Sequence, residues 1–151
     1  MSIDPEIRYY ILVGDVRNWT TALENKVWGF TPNAKGFWNT VKEGDLLAFY
    51  ATLPVKKIFG FGKVSEKFVD DRVLWNDEKI FKRVLWPYRI RFKILFLQED
   101  WEKGEQVPSG IILRSPRVRI DEQLFYKILQ QTEKKSNIQI IKRSHHVDNV
   151  S

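Results

Sequence analysis

Residues 88–97, Tyr-Arg-Ile-Arg-Phe-Lys-Ile-Leu-Phe-Leu, alternate for most of their length between apolar and basic side chains. Successive side chains of an extended strand point to opposite faces, so Ile90, Phe92, Ile94 and Phe96 share one side and Arg89, Arg91 and Lys93 the other. The segment reads as a long strand with one face in a core and one basic face. Three more stretches carry a β signature. Residues 8–13 are aromatic and aliphatic and break at Gly14-Asp15. Residues 46–50 form a continuous apolar run after a turn over residues 41–45. Residues 57–64 put Gly60 and Gly62 on one face, which permits close approach or sharp coiling, and Phe59 and Phe61 on the other, toward a core.

Helical patterns are fewer. Asn18 reads as the cap of a short helix over residues 19–26. Asp121 reads as the cap of the best helix, residues 122–134, with Leu124, Phe125, Ile128 and Leu129 as its apolar stripe. Between them, Val27-Trp28-Gly29-Phe30-Thr31-Pro32-Asn33 reads as a loop holding two large rings. Residues 66–83 read as charged and irregular, with Val73-Leu74-Trp75 as an apolar island, and Pro116 starts a short extended piece. Several strands, one late helix and short early helical turns point to a compact α+β barrel. Alternating βα units with a glycine-rich phosphate loop are missing, which argues against a doubly wound nucleotide fold. The expected organisation is a single domain over residues 1–143 and a flexible tail over residues 144–151.

Composition narrows the function classes. The chain of 151 residues holds six Trp, ten Phe and five Tyr, and Trp holds flat ligands by stacking as well as filling cores. A formal charge of +6 and a pI near 9.5 favour a polyanionic partner, with a lysine-rich soluble surface as the competing explanation. There is no Cys, which excludes disulfides, thiolate metal sites and a cysteine nucleophile. No apolar run approaches the roughly 18 residues of a membrane span, and residues 1–5 lack the pattern of a signal peptide. A cytoplasmic protein is expected. The absent Cys, single Met and plentiful Lys and Ile hint at a heat-adapted source.

Nothing in the sequence supports catalysis. The two histidines, His145 and His146, are adjacent in the polar tail, a poor place for a preorganised acid–base pair or metal site. No nucleophile elbow or P-loop appears. Asp70-Asp71 and Asp77-Glu78 offer carboxylates for Mg²⁺, but they stand beside Arg72, Lys79, Lys82 and Arg83, where surface ion pairing is the plainer reading.

One ordered set of motifs does point somewhere. Asp15-Val16-Arg17-Asn18-Trp19 follows the first strand, and Val27-Trp28-Gly29 follows the short helix after it. Lys42-Glu43-Gly44-Asp45 leads into a strand ending at Tyr50. Phe59-Gly60-Phe61-Gly62-Lys63-Val64 comes next, then Trp75 and Trp86-Pro87-Tyr88-Arg89. From about Tyr9 to Glu122 this order resembles the EVE family, grouped with the YTH readers of methylated adenine in RNA within the PUA-like superfamily. The resemblance implies an α+β fold: a PUA-like mixed β-barrel flanked by short helices and a C-terminal helix. It also implies an aromatic cage for an altered base, with no cofactor, no metal and no catalytic residue.

Residue by residue, the resemblance assigns Trp28 as the first ring of the cage and Trp75 as the second. Asn18 and Asp15 fall in the loop whose side chains meet the base edge. Apart from the resemblance, Tyr88 and Arg89 are candidates for the pocket rim, with a solvated basic strand face as the plainer reading. Here Gly14 and Val16 replace the polar residues usual around Asp15. For phosphates the candidates are Lys35, Arg114, Arg117 and Arg119, with Arg114-Ser115-Pro116-Arg117-Val118-Arg119 the densest basic cluster; Lys56, Lys57, Lys82 and Arg83 are further choices. Each has a plainer alternative: Trp28 and Trp75 as core rings, Asn18 as a helix cap, the arginines as a solvated face. Trp38, Trp86 and Trp101 read as structural. The expected function is recognition of a modified base in DNA or RNA, alone or beside a separate nuclease or modification enzyme. The alternatives are a metal-dependent nuclease or RNA-modification enzyme using the acidic loop, and a small-molecule or protein interaction module.

Overall fold

Strand β1 (Tyr9–Gly14) is buried along nearly its whole length. In the computed structural model, which describes residues 6–113 and 115–142, it pairs in parallel with β3 (Leu46–Ala51) and antiparallel with β6 (Arg117–Ile120). A parallel pair cannot be closed by a tight turn, so the chain needs a crossover between the two strands. That crossover carries helix α1 (Val16–Asn25), strand β2 (Val27–Phe30), a 3₁₀ turn at Pro32–Ala34 and helix α2 (Lys35–Thr40). Strands β4 (Lys57–Val69) and β5 (Tyr88–Leu97) complete a six-stranded mixed sheet in the order β2-β5-β4-β3-β1-β6. Helix α3 (Asn76–Phe81) lies in the β4–β5 connection, and α4 (Glu122–Ser136) follows β6. The fold is the expected α+β barrel type, a curled half-barrel with flanking helices.

The sheet buries both faces. One cluster gathers Trp19, Trp28, Phe49, Phe59 and Phe92; the other gathers Ile11, Ala48, Phe61, Phe125 and Ile128. This explains why β3 is apolar at every position and not alternating. Helix α4 covers the second cluster. Asp121 caps it, accepting the Leu124 amide at 2.7 Å, and Phe125, Ile128 and Leu129 are buried as the stripe requires. Leu124 stays partly exposed at the edge of that contact.

Several local expectations change. Phe59 and Phe61 do not share a face: Phe49 pairs with Gly60 and Tyr50 with Ile58, so Phe59 is an extra, bulged residue. The bulge turns Phe59 into the first cluster, where it stacks on Trp101 at 4.0 Å, while Phe61 stays in the second. Asp15, not Asn18, caps α1: its carboxylate accepts the Asn18 amide at 2.7 Å. Residues 27–30 form an edge strand against β5, not a loop, because Trp28 and Phe30 have a core to enter. Residues 66–83 are not irregular throughout, since β4 continues to Val69 and α3 follows Trp75. In β5 the basic face is broken: Arg91 and Lys93 are exposed, but Arg89 is 2% exposed. The tail over residues 144–151, with His145 and His146, lies outside the described residues.

Candidate functional site

Where β1 ends at Gly14, the crossover leaves a cavity of about 160 Å³, room for more than a few waters. Its walls come from the end of β1 and the start of α1, from β2 and the turn after it, from the β4–β5 connection and from the start of β6. Val13, Gly14 and Asn18 form one side, Trp28, Gly29 and Phe30 a second, and Trp75 with Trp86 a third. Pro116 and Arg117 line it as well.

Two tryptophan pairs define it. Trp28 stacks on Trp19 at 4.3 Å with 27° between the planes, and the Trp19 indole N–H donates to the Tyr50 carbonyl at 2.8 Å. Trp19 is thus a fixed backing that leaves only part of Trp28 facing the cavity. Trp75 meets Trp86 edge to face, 5.6 Å apart at 73°. The Trp75 indole N–H donates to the Asn18 carbonyl at 3.2 Å, linking the second pair to α1.

Glycine is required on both sides. A Cβ at Gly14 would lie 2.5 Å from the Trp28 ring, and one at Gly29 would lie 2.6 Å from Cβ of Trp86 and 3.0 Å from the Trp75 ring. The dipeptides Val13-Gly14 and Trp28-Gly29 therefore admit the rings that any side chain would displace. Asn18 lines the cavity, and its side-chain amide has no hydrogen-bond partner among the described residues. It offers two donors and an acceptor to whatever enters.

Behind the Trp75–Trp86 wall lies a buried ionic cluster. Arg89 pairs with Asp70 at 3.2 Å and with Glu78 at 3.4 Å, and its guanidinium sits 5.2 Å from the Trp75 ring centre. The Asp70 carboxyl is held below its ordinary value of 3.8, first by the side-chain hydrogen bond from Arg72, with the Arg72 amide and the charge of Arg89 adding to this against the opposing effect of burial. The expected surface pairing of the acidic loop is thus half right. Arg72 does pair with Asp70 at 3.1 Å, but Glu78 is fully buried and its carboxylate is committed to the interior. Among the described residues no cluster of three or more metal-ligating side chains occurs.

The structure brings together Asn18, Trp28, Trp75 and Arg117 of the residues singled out from sequence. It separates others. Asp15 is exposed and caps α1. Tyr88 packs on Trp38 at 5.2 Å and lies under Lys35, whose Nζ is 5.6 Å from its ring centre. Arg89 is buried behind Trp75 and does not line the cavity. Lys35 is exposed and follows Ala34, which does line it. Arg117 lies over the Phe37 ring at 5.1 Å, and Arg119 is exposed on β6. Arg114 is outside the described residues.

Trp86 was assigned a structural role and proves also to line the cavity. Its place beside Trp75 depends on a hairpin-like return of the chain that no periodicity announces. Trp38 and Trp101 lie elsewhere, as expected: Trp38 donates its indole N–H to the Arg89 carbonyl at 2.9 Å, and Trp101 stacks on Phe59.

Among the described residues, no helix is long and apolar enough to cross a membrane. No protein-family model matches the sequence, and no curated protein matches it. Solved structures do match. The YTH domain of Pho92 in complex with m6A superimposes with a TM-score of 0.57 at 10% identity, covering 87% of this chain and 89% of that one. The YTH domain of Zygosaccharomyces rouxii MRB1 in complex with N6-methyladenosine RNA gives 0.56 at 11% identity, covering 87% and 90%. The Mmi1 YTH domain in complex with RNA gives 0.55 at 13% identity, covering 88% and 83%. At these identities the likeness is one of fold: the chain adopts the fold of YTH domains over most of its length.

Proposed function

We propose that this protein is a non-enzymatic reader that takes one methylated base, with adenine the first candidate, out of a single-stranded nucleic acid. The observation that carries the reading is the cavity itself, walled by Trp28, Trp75 and Trp86 with the unpartnered Asn18 amide beside them. Similarity to YTH domains solved with m6A and with N6-methyladenosine RNA supports the choice of base.

A base that leaves its stack must recover a few kcal/mol from its new surroundings. Aromatic walls return about 1–3 kcal/mol per base by stacking. The Asn18 amide suits a Watson–Crick edge, which presents both a donor and an acceptor. A methyl group adds roughly 0.8 kcal/mol of apolar burial, or about fourfold in affinity, when the cage closes on it. In this reading Arg117, which lines the cavity, and Lys35, next to the lining residue Ala34, meet the flanking phosphates. The acidic loop does not favour the nuclease alternative, because Asp70 and Glu78 face a guanidinium instead of solvent.

The test is a tryptophan-fluorescence titration with short single strands of RNA and DNA, each with and without N6-methyladenine, at two salt concentrations. The methylated strand is expected to bind at least about fourfold tighter, from the burial of one methyl group. Trp28→Phe is expected to weaken that preference, and Arg117→Ala to lower the log–log salt slope by about 0.7, the value for one phosphate of a single strand. Equal affinity for methylated and unmethylated strands of every type sinks the proposal.

A further inference from the structure

The two rings of the third wall are eleven residues apart in sequence, yet a single carboxylate holds the backbone of both. Glu78, the third residue of α3, is fully buried. Its Oε1 accepts the amides of Leu74 at 2.7 Å and Trp75 at 3.1 Å; its Oε2 accepts those of Leu85 at 2.9 Å and Trp86 at 3.1 Å. None of these four residues belongs to a helix or a sheet ladder. Without the carboxylate, buried or half-buried N–H groups at both tryptophans would lack an acceptor. The Oε1 bond to Trp75 ties the third residue of α3 back to the N-cap amide, with no return bond because the Trp75 indole can only donate. The Oε2 bonds go further, reaching across to the segment that enters β5.

Arg89 completes the frame from β5. Its Nε donates to the Trp86 carbonyl at 2.9 Å and its Nη2 to the Arg72 carbonyl at 2.6 Å. The same guanidinium pairs with Glu78 and Asp70 and lies against the face of Trp75. Trp86 is thus held at both its N–H and its C=O, and Trp75 at its N–H and its ring. A buried ion pair is not needed to stabilise a wall of this kind, since apolar residues of like volume do as well or better. What it supplies is geometry, because hydrogen bonds fix distance and direction where apolar contacts slide.

We propose that Glu78, oriented by Arg89, is a positioning residue that sets the spacing and angle of Trp75 and Trp86 and hence the width of the cage. This rests on the reading of the cavity as a base cage. Neither residue touches a base. Each carboxylate oxygen serves one tryptophan segment, so an amide at this position keeps one segment and releases the other: its nitrogen faces two N–H groups and accepts from neither.

Three measurements on the full chain test this. In the wild type, hydrogen exchange followed by NMR is expected to show the amides of residues 74, 75, 85 and 86 protected like those of the sheet, although they lie in irregular backbone. In Glu78→Gln, one pair, either 74 with 75 or 85 with 86, is expected to exchange about tenfold faster or more, as donors without an acceptor do. The affinity for a methylated single strand is then expected to fall about fourfold, to that of the unmethylated strand, at a temperature where the variant is fully folded, with affinity for the unmethylated strand little changed.

A merely structural role would lower the melting temperature and weaken both strands alike. Free exchange of the four amides in the wild type overturns the inference whether or not the variant folds. Unchanged exchange in Glu78→Gln, or unchanged selectivity despite faster exchange, also overturns it. If the wild type binds no methylated strand at all, the reader proposal falls. The clamp is then judged by amide exchange and by acrylamide quenching of Trp75 and Trp86, which must rise in Glu78→Gln.

Discussion

Gly29 is the point at which the smallest change acts on the largest part of the cavity. Its backbone is not left-handed, so Gly29→Ala meets a problem of space alone. The added Cβ would sit 2.6 Å from Cβ of Trp86 and 3.0 Å from two atoms of the Trp75 ring. Carbon atoms in contact rest about 3.5–4.0 Å apart, so the first contact is short by about 1 Å. Trp86 cannot yield cheaply, because its Cβ moves with a backbone whose N–H is bonded to Glu78 and whose C=O is bonded to Arg89. Overpacking of this kind costs about 1–3 kcal/mol. Replacing a strand glycine by alanine offsets about 0.5–1 kcal/mol of it through lost chain entropy. The net loss is about 1–2 kcal/mol, which for a domain of this size lowers Tm by about 2–8 °C.

Calorimetry measures the shift, and near-UV circular dichroism reports the edge-to-face Trp75–Trp86 pair. Binding of a methylated single strand is expected to weaken more than the stability change explains. Gly36→Ala is the control, since nothing lies within 4 Å of its Cβ and it stands exposed in α2. There alanine is expected to raise stability by up to about 1 kcal/mol. A Gly29→Ala protein as stable as the wild type, with the same near-UV spectrum, refutes the reasoning.

Two further predictions separate support from recognition. Asp15→Ala removes the cap of α1 and is expected to lower stability by about 1 kcal/mol in urea unfolding, with a smaller loss of base affinity than Asn18→Ala, because Asp15 holds the Asn18 backbone amide but does not itself line the cavity. Asp70 has a depressed carboxyl in the folded protein, so its contribution is present above the ordinary value of 3.8 and is lost as pH falls through the lower folded value. Asp70→Asn is therefore expected to be less stable than the wild type at neutral pH and to converge with it on the acid side, read as Tm against pH. A gap that stays constant or widens as pH falls ever further below 3.8 contradicts the assignment.

The sequence by itself determined four of the six strands, the last helix and the rings worth suspecting, while β2 read as a loop. The apolar run at 46–50 and the stripe of α4 are local patterns that the chain follows, and the alternation at residues 88–97 holds from Ile90 to Ile94 but breaks at Arg89, which is buried, and beyond a bulge at Leu95, where Phe96 joins the second cluster and not the first. Trp28 and Asn18 were legible because the order of motifs around them is itself a one-dimensional signal. The tertiary structure decided what periodicity cannot carry. The bulge at Phe59 is one inserted residue whose effect depends on the partner strand, and no pattern in residues 57–64 marks it. Arg89 sits in a basic alternation yet is buried, because Asp70 and Glu78 arrive from elsewhere to neutralise it. Trp86 and Glu78 gain their places at and behind the cavity only when two segments beyond helical spacing meet. Such meetings are long-range events, fixed by packing and by satisfying buried polar groups, and those forces act on distances in space and not along the chain.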